Sequence, residues 1–144
     1  MRYEFASVAA MPAGLWRWPH ISPAVEWADR MSGQIVIETT FLDAFEQLRA
    51  RYGRPIIIAS GYRTPEHNTI VSATNSSDGA HTLALAFDAT VYGQHAFELL
   101  HHALGLGFFS GIGIAQTGSP ASRFLHFDAA PDRPAATRPR VWSY

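Results

Sequence analysis

The sequence predicts an α+β domain, a small and mainly antiparallel sheet with helices packed on one face. Three observations carry this. Stretches 41–52 and 94–104 place apolar residues at helical spacing. Stretches 83–91 and 124–128 read as strands, with side chains alternating between two faces. A chain of 144 residues, 47% apolar and 16% charged, is the size of one domain with a real core. We expect a single domain over 1–144, with residues 1–21 as an N-terminal arm and 129–144 as a C-terminal tail packing on the core.

The arm carries Leu15, Trp16, Trp18 and Pro19, which are expected to lie across the core. Ser22-Pro23 reads as an N-cap followed by proline at the first helical position, starting a short helix to Arg30 that Ser32-Gly33 ends. Thr39 or Thr40 is expected to cap the helix Phe41 to Tyr52, with Phe41, Phe45 and Leu48 on one face and Gly53 as its stop. Ile56 to Ala59 reads as a buried strand. Thr64-Pro65-Glu66 starts a capped helix through about Val71, followed by a polar loop, Ser72 to Ala80. Leu83 to Val91 is expected as a strand, then a helix Gln94 to Leu104 burying Phe97, Leu100 and Leu104. A short strand near Ile112 to Ala115, a turn at Thr117 to Ser122 and the strand Phe124 to Asp128 complete the core, and Trp142 is expected to dock back on it.

Composition excludes several function classes. The formal net charge is −1, which argues against nucleic acid as the main partner, because phosphate binding favours a basic surface. There is no cysteine, so disulfides, thiolate metal sites and a cysteine nucleophile are excluded, and any zinc must be held by His, Asp or Glu. No apolar run approaches the length of a membrane span. The start, with Glu4 before a short and weakly apolar segment, reads as mature sequence without a signal peptide, so synthesis in the cytoplasm is expected.

The residues with chemical potential are few. After the apolar run at 56–59 comes Ser60-Gly61-Tyr62-Arg63, then His81 and Asp88, then Phe124-Leu125-His126-Phe127-Asp128. Strand alternation puts Asp88 on the face of Ala84 and Ala86, away from Leu85 and Phe87, and puts His126 and Asp128 together on another. Seven extended residues span about 23 Å, so His81 and Asp88 can share one metal only if the chain bends sharply around Thr82 to Ala84. Two imidazoles and a carboxylate leave a fourth position open, the catalytic rather than the structural pattern. Arg63 suits a substrate carboxylate held by two parallel hydrogen bonds. Taken singly, a histidine such as His81 or His126 is more often structural than ligating, and His67 reads as structural or as a pocket rim.

Together these blocks resemble the zinc D-alanyl-D-alanine carboxypeptidase family, which includes cell-wall endopeptidases of phage lysins and shares its fold with the hedgehog signalling domain. The resemblance spans about Ser22 to Trp142. It implies a hedgehog-like zinc peptidase fold, with His81, Asp88 and His126 as ligands of Zn(2+) and Arg63 as the binder of the substrate's terminal carboxylate. In the family pattern Gly79 replaces a serine and Ala84 replaces a glycine, at the inferred bend. The family's usual base positions hold Arg123 and Phe124 here. Asp128 is the substitute, either as general base or as a partner that orients a ligand. The implied function is hydrolysis of peptidoglycan stem or cross-bridge peptides. A non-catalytic zinc-binding module of a phage or prophage particle, and a D-Ala-D-Ala dipeptidase, are the alternatives. The expected partners are a peptidoglycan peptide and phage particle components, with no nucleic acid and no membrane. The expected setting is the cell wall, reached after release or as part of a virion.

Overall fold

The computed structural model describes residues 1–144. It is an α+β fold with two sheets. A five-stranded sheet has the order β3-β4-β6-β5-β7, from β3 (Ile57–Ser60), β4 (Ala86–Thr90), β5 (Gly111–Ala115), β6 (Phe124–Asp128) and β7 (Arg140–Ser143). Its neighbours pair antiparallel except β5 and β7, which run parallel. A separate antiparallel pair joins β1 (Arg2–Phe5) to β2 (Ile35–Glu38), matching Arg2 with Glu38 and Phe5 with Ile35. The helices are α1 (Thr39–Tyr52), α2 (Pro65–Val71) and α3 (Gly93–Leu106). No helix is long and apolar enough to cross a membrane.

An aromatic cluster covers one face of the large sheet. Phe87 and Phe127 from β4 and β6 meet Phe41, Phe45 and Phe109, with ring centroids 5.1–6.2 Å apart. Burial of these rings and of Leu42, Leu48, Leu99 and Leu125 holds the helices to the sheet. Strand alternation then commits Asp88 and His126 to the opposite face.

Several elements depart from the sequence expectation. The first 21 residues are not only an arm, because Arg2–Phe5 pair with β2. That pairing brings the amino terminus to α1, where the Met1 ammonium donates to Thr39 Oγ1 at 2.9 Å. Thr39 is thus the first helical residue, and Glu38 is the N-cap without a side-chain bond. The helix expected over Pro23 to Arg30 is one π-helical turn, Pro23–Trp27, still capped by Ser22 Oγ, which accepts from the Val25 amide at 3.3 Å. It stops because Trp27 is pulled inward, its indole donating to Val36 O at 2.7 Å. Strand β3 is an edge rather than a buried strand, and its Ile57 is 62% exposed. Strand β4 begins at Ala86, not Leu83, because residues 80–84 form a turn. The tail ends in a paired strand, β7.

Helix α3 buries Ala96, Leu99 and Ala103, whereas Phe97 is 73% and Leu104 61% exposed. Residues 97, 100 and 104 have the same spacing as 96, 99 and 103, so periodicity alone cannot choose between the stripes. The crowded aromatic layer accepts the stripe with two alanines, which lets the helix approach closely.

Candidate metal centre

Asp88 and His126 lie directly opposite each other in the β4–β6 register. His126 Nδ1 is 2.9 Å from Asp88 Oδ1, and His81 Nε2 is 3.3 Å from Asp88 Oδ2. One ligand atom from each of the three lies within 4.8 Å of the others. The structure therefore brings together the three residues that the sequence singled out as ligands.

His81 arrives through the turn. The amides of Ala84 and Leu85 donate to the carbonyls of His81 and Ala80 at 3.2 and 3.0 Å. Ala84 takes a left-handed conformation, φ 57°, at the bend the spacing required. For a residue with a Cβ this costs about 1–2 kcal/mol, which explains why the family pattern has glycine there. The turn is tied to the Ser60–Arg63 segment, since the Arg63 amide donates to His81 O at 3.2 Å and His81 Nδ1 donates to Gly61 O at 2.7 Å. Gly61 has no room for a side chain, because a Cβ would stand 2.8 Å from the Trp27 ring and 2.9 Å from Glu26 O. The carbonyl can only accept, so the proton sits on Nδ1 and Nε2 is left as a bare lone pair facing Asp88. That Nε2 is buried without a hydrogen-bond partner.

His126 is held differently. Its Nε2 lies 2.9 Å from Asp128 Oδ2. Asp128 is fully buried and accepts from Arg138 Nε at 2.9 Å, Arg138 Nη2 at 2.8 Å and the Ala130 amide at 3.1 Å. Gly111 stands opposite Asp128 on β5, and a Cβ there would overlap the carboxylate. Both oxygens of Asp128 are therefore engaged, one with Arg138 and His126, the other with Arg138 and a backbone amide.

The electrostatics follow from these contacts. Burial pushes His81 below its ordinary value, a shift that Asp88 opposes without cancelling. Burial also disfavours charge on Asp88 and His126, but it is outweighed there. The two imidazoles hold Asp88 far below the carboxylate range, and the bonds to Asp128 and Asp88 raise His126. Asp128 lies at about 2, because its bonds to His126 and Arg138 outweigh its burial. A carboxylate that stays ionised, two imidazoles and an orphaned buried nitrogen fit a zinc-type donor set with an open position.

Arg63 stands beside the centre, its Nη2 4.0 Å from Asp88 Oδ2 and its buried Nε without a partner. Burial lowers its pKa and Asp88 opposes the shift. Its segment is positioned by Asp29, which sequence reasoning missed. Asp29 accepts from the Thr64 amide at 3.1 Å, from the Met31 and Ser32 amides at 3.2 and 2.8 Å, and from Ser32 Oγ at 2.8 Å, and it meets His67 Nδ1 at 2.6 Å. Arg138 was missed as well, and Trp142 docks on this face rather than on the core, its ring 5.2 Å from that of His126. No local pattern marks Asp29. The Arg138-Pro-Arg-Val-Trp142 cluster was a visible but unexplained signal. Arg123 and Phe124 bring no acid or base to the centre, since Arg123 donates to Gly118 O at 2.8 and 3.0 Å and Phe124 packs on Tyr144.

A family model described as Peptidase M15 matches residues 21–128, about three quarters of the chain. No curated protein and no solved structure matches it.

Proposed function

Because the chain belongs to the peptidase M15 family and is a zinc-dependent metallopeptidase, we propose that it cleaves peptidoglycan stem or cross-bridge peptides near a free carboxylate, as a D-alanyl-D-alanine carboxypeptidase or a lysin-type endopeptidase. The observation that carries this is Arg63, a largely buried cation with an unpartnered Nε beside the His-Asp-His set. A buried guanidinium with unused donors matches the planar carboxylate of a peptide terminus.

Zinc held by His81, Asp88 and His126 would supply positive charge that polarises a peptide carbonyl and makes water more acidic. The residues of the chain do the rest. Gly61 O keeps the His81 proton on Nδ1 and so presents Nε2 inward. Asp128 holds the His126 ring by Nε2 and makes it a more basic ligand. Of the two roles open to Asp128, orienting His126 is the one its hydrogen bonds support, because neither oxygen is free to take a proton from water. Arg63 holds the substrate carboxylate and aligns the scissile bond. The proposed setting is a phage or prophage product that meets the wall after release or within a virion.

The test is digestion of purified peptidoglycan and synthetic stem peptides, followed by mass spectrometry of the fragments. Released D-alanine or stem fragments, abolished by a chelator and restored by zinc, are the expected result. Arg63→Gln should raise KM at least ten-fold. Stoichiometric zinc without release from any wall substrate would sink this reading and leave a zinc-binding structural module. Cleavage of free D-Ala-D-Ala alone would assign a dipeptidase.

A further inference from the structure

A cavity of about 430 Å³ reaches His81 and His126 of the metal centre and carries a basic lining. Arg133, Arg138 and Arg140 line it together with Trp142. Arg138 is neutralised by Asp128. Neither Arg133 nor Arg140 forms an ion pair. The same lining includes one exposed carboxylate, Asp78, and the Asn68 side-chain amide donates to the backbone carbonyls of Ser76 and Asp78, which pins the 72–80 loop.

Arg140 is placed by its surroundings. Its guanidinium lies 4.7 Å from the Trp142 ring centre, and that of Arg138 lies 5.5 Å from the same ring. The indole is itself seated on β5, where a Cβ at Gly113 would come within 2.9 Å of it. Stacking of this kind orients a guanidinium while leaving its N–H donors free for an anion. In a chain with net charge −1, two unpaired arginines on one cavity wall mark where negative charge is received.

The sheet order sets the geometry. Arg63 follows β3 at one edge, Arg140 begins β7 at the other, and the ligands Asp88 and His126 sit on the strands between. Four strand spacings amount to about 19 Å of backbone separation, which long side chains narrow from both sides to the span of a few peptide residues. We infer that Arg133 and Arg140 form a second anion subsite, so that the substrate is an acidic peptide carrying one carboxylate at Arg63 and another across the scissile bond. This rests on the peptidase reading above and specifies its substrate class.

Titration calorimetry of the zinc-loaded 144-residue chain tests it at low salt with acetyl-Ala-Glu-Ala-Ala and the same peptide bearing Gln in place of Glu. Both keep the terminal carboxylate for Arg63 and differ only in the second charge. The acidic peptide should bind at least ten-fold tighter. In Arg133→Gln/Arg140→Gln the ratio should fall to near one, whereas Arg140→Lys, which keeps the charge, should retain a preference. Equal affinity for the two peptides, a ratio that survives in the double variant, or no binding of either peptide overturns the subsite. Repeating the titration after chelation reads binding without turnover, so absent cleavage counts against the peptidase reading and equal affinity against this one.

Discussion

The two imidazoles of the metal centre reach one point by different routes. His126 stands on a regular strand, is fixed by a carboxylate two residues along the chain, and has its pKa raised by that partner. His81 stands in a tight turn, is fixed by the carbonyl of Gly61 from a segment twenty residues away, and is pushed down by burial. The first ligand is tuned by a side chain and the second by backbone. Mutation can therefore separate them, because a side-chain partner can be exchanged and a carbonyl can only be displaced by moving the segment that carries it.

The largest effect comes from the ligands themselves. His81→Ala and His126→Ala should each abolish stoichiometric zinc, measured by atomic absorption, and lower kcat/KM by more than about a thousand-fold, because an incomplete donor set cannot hold the ion. Equal residual activity with and without zinc would remove the metal from the mechanism.

Next comes the asymmetry. Asp128→Asn should weaken zinc affinity by about 10–100-fold in competition with a chelating dye, the usual cost of losing a carboxylate behind a ligating histidine. Gly111→Ala should follow it, because its Cβ overlaps the same carboxylate. Unchanged zinc affinity in Asp128→Asn would erase the distinction between the two ligands.

On the His81 side the handle is Asp29, which ties the segment carrying Arg63 to the chain around Ser32. Asp29→Ala should cost about 1–3 kcal/mol in denaturant unfolding, since it leaves several donors without an acceptor, and it should raise KM through Arg63. Burial acts to raise the Asp29 pKa, yet the bonds from Ser32, His67 and Thr64 hold it below its ordinary 3.8. A depressed folded pKa stabilises the fold above the unfolded value and ceases to do so as pH falls through the folded one. Stability of the wild type should therefore decline below about pH 4, and Asp29→Asn should flatten that part of the profile.

The smallest effect belongs to Ala84. Ala84→Gly relieves about 1 kcal/mol of left-handed strain and loses a buried methyl of similar worth, so stability should change by less than about 1 kcal/mol with zinc retained. Ala84→Val, β-branched at φ 57°, should unfold or lose zinc. If glycine and valine behave alike in thermal denaturation, the bend does not depend on backbone conformation at this position.

How much was legible follows from the range of each interaction. Helical spacing in 41–52, alternation in 124–128 and the punctuation around Pro65 are local, and they place the helices and central strands. The grouping of His81, Asp88 and His126 was legible too, since a shared metal required a bend between His81 and Asp88 and the structure has one at Ala84. Other features were invisible because they are pairings between distant residues. Arg2–Phe5 acquire a strand partner 30–36 residues away, β7 becomes a strand only by lying beside β5, and Asp29 becomes structural only when α2 is brought to it. The facing stripe of α3 was undecidable locally, because two stripes share one period and only the bulk of the aromatic layer selects between them. By itself the sequence determined the α+β class, since periodicity needs only neighbours in the chain, and its motif blocks singled out the His-Asp-His set that could hold a metal and the arginine beside it. Tertiary structure alone decided what each ligand leans on, and so what Asp128 does, because a carboxylate's role depends on which donors reach it: here Arg138 and the Ala130 amide do, from ten residues beyond it and from two.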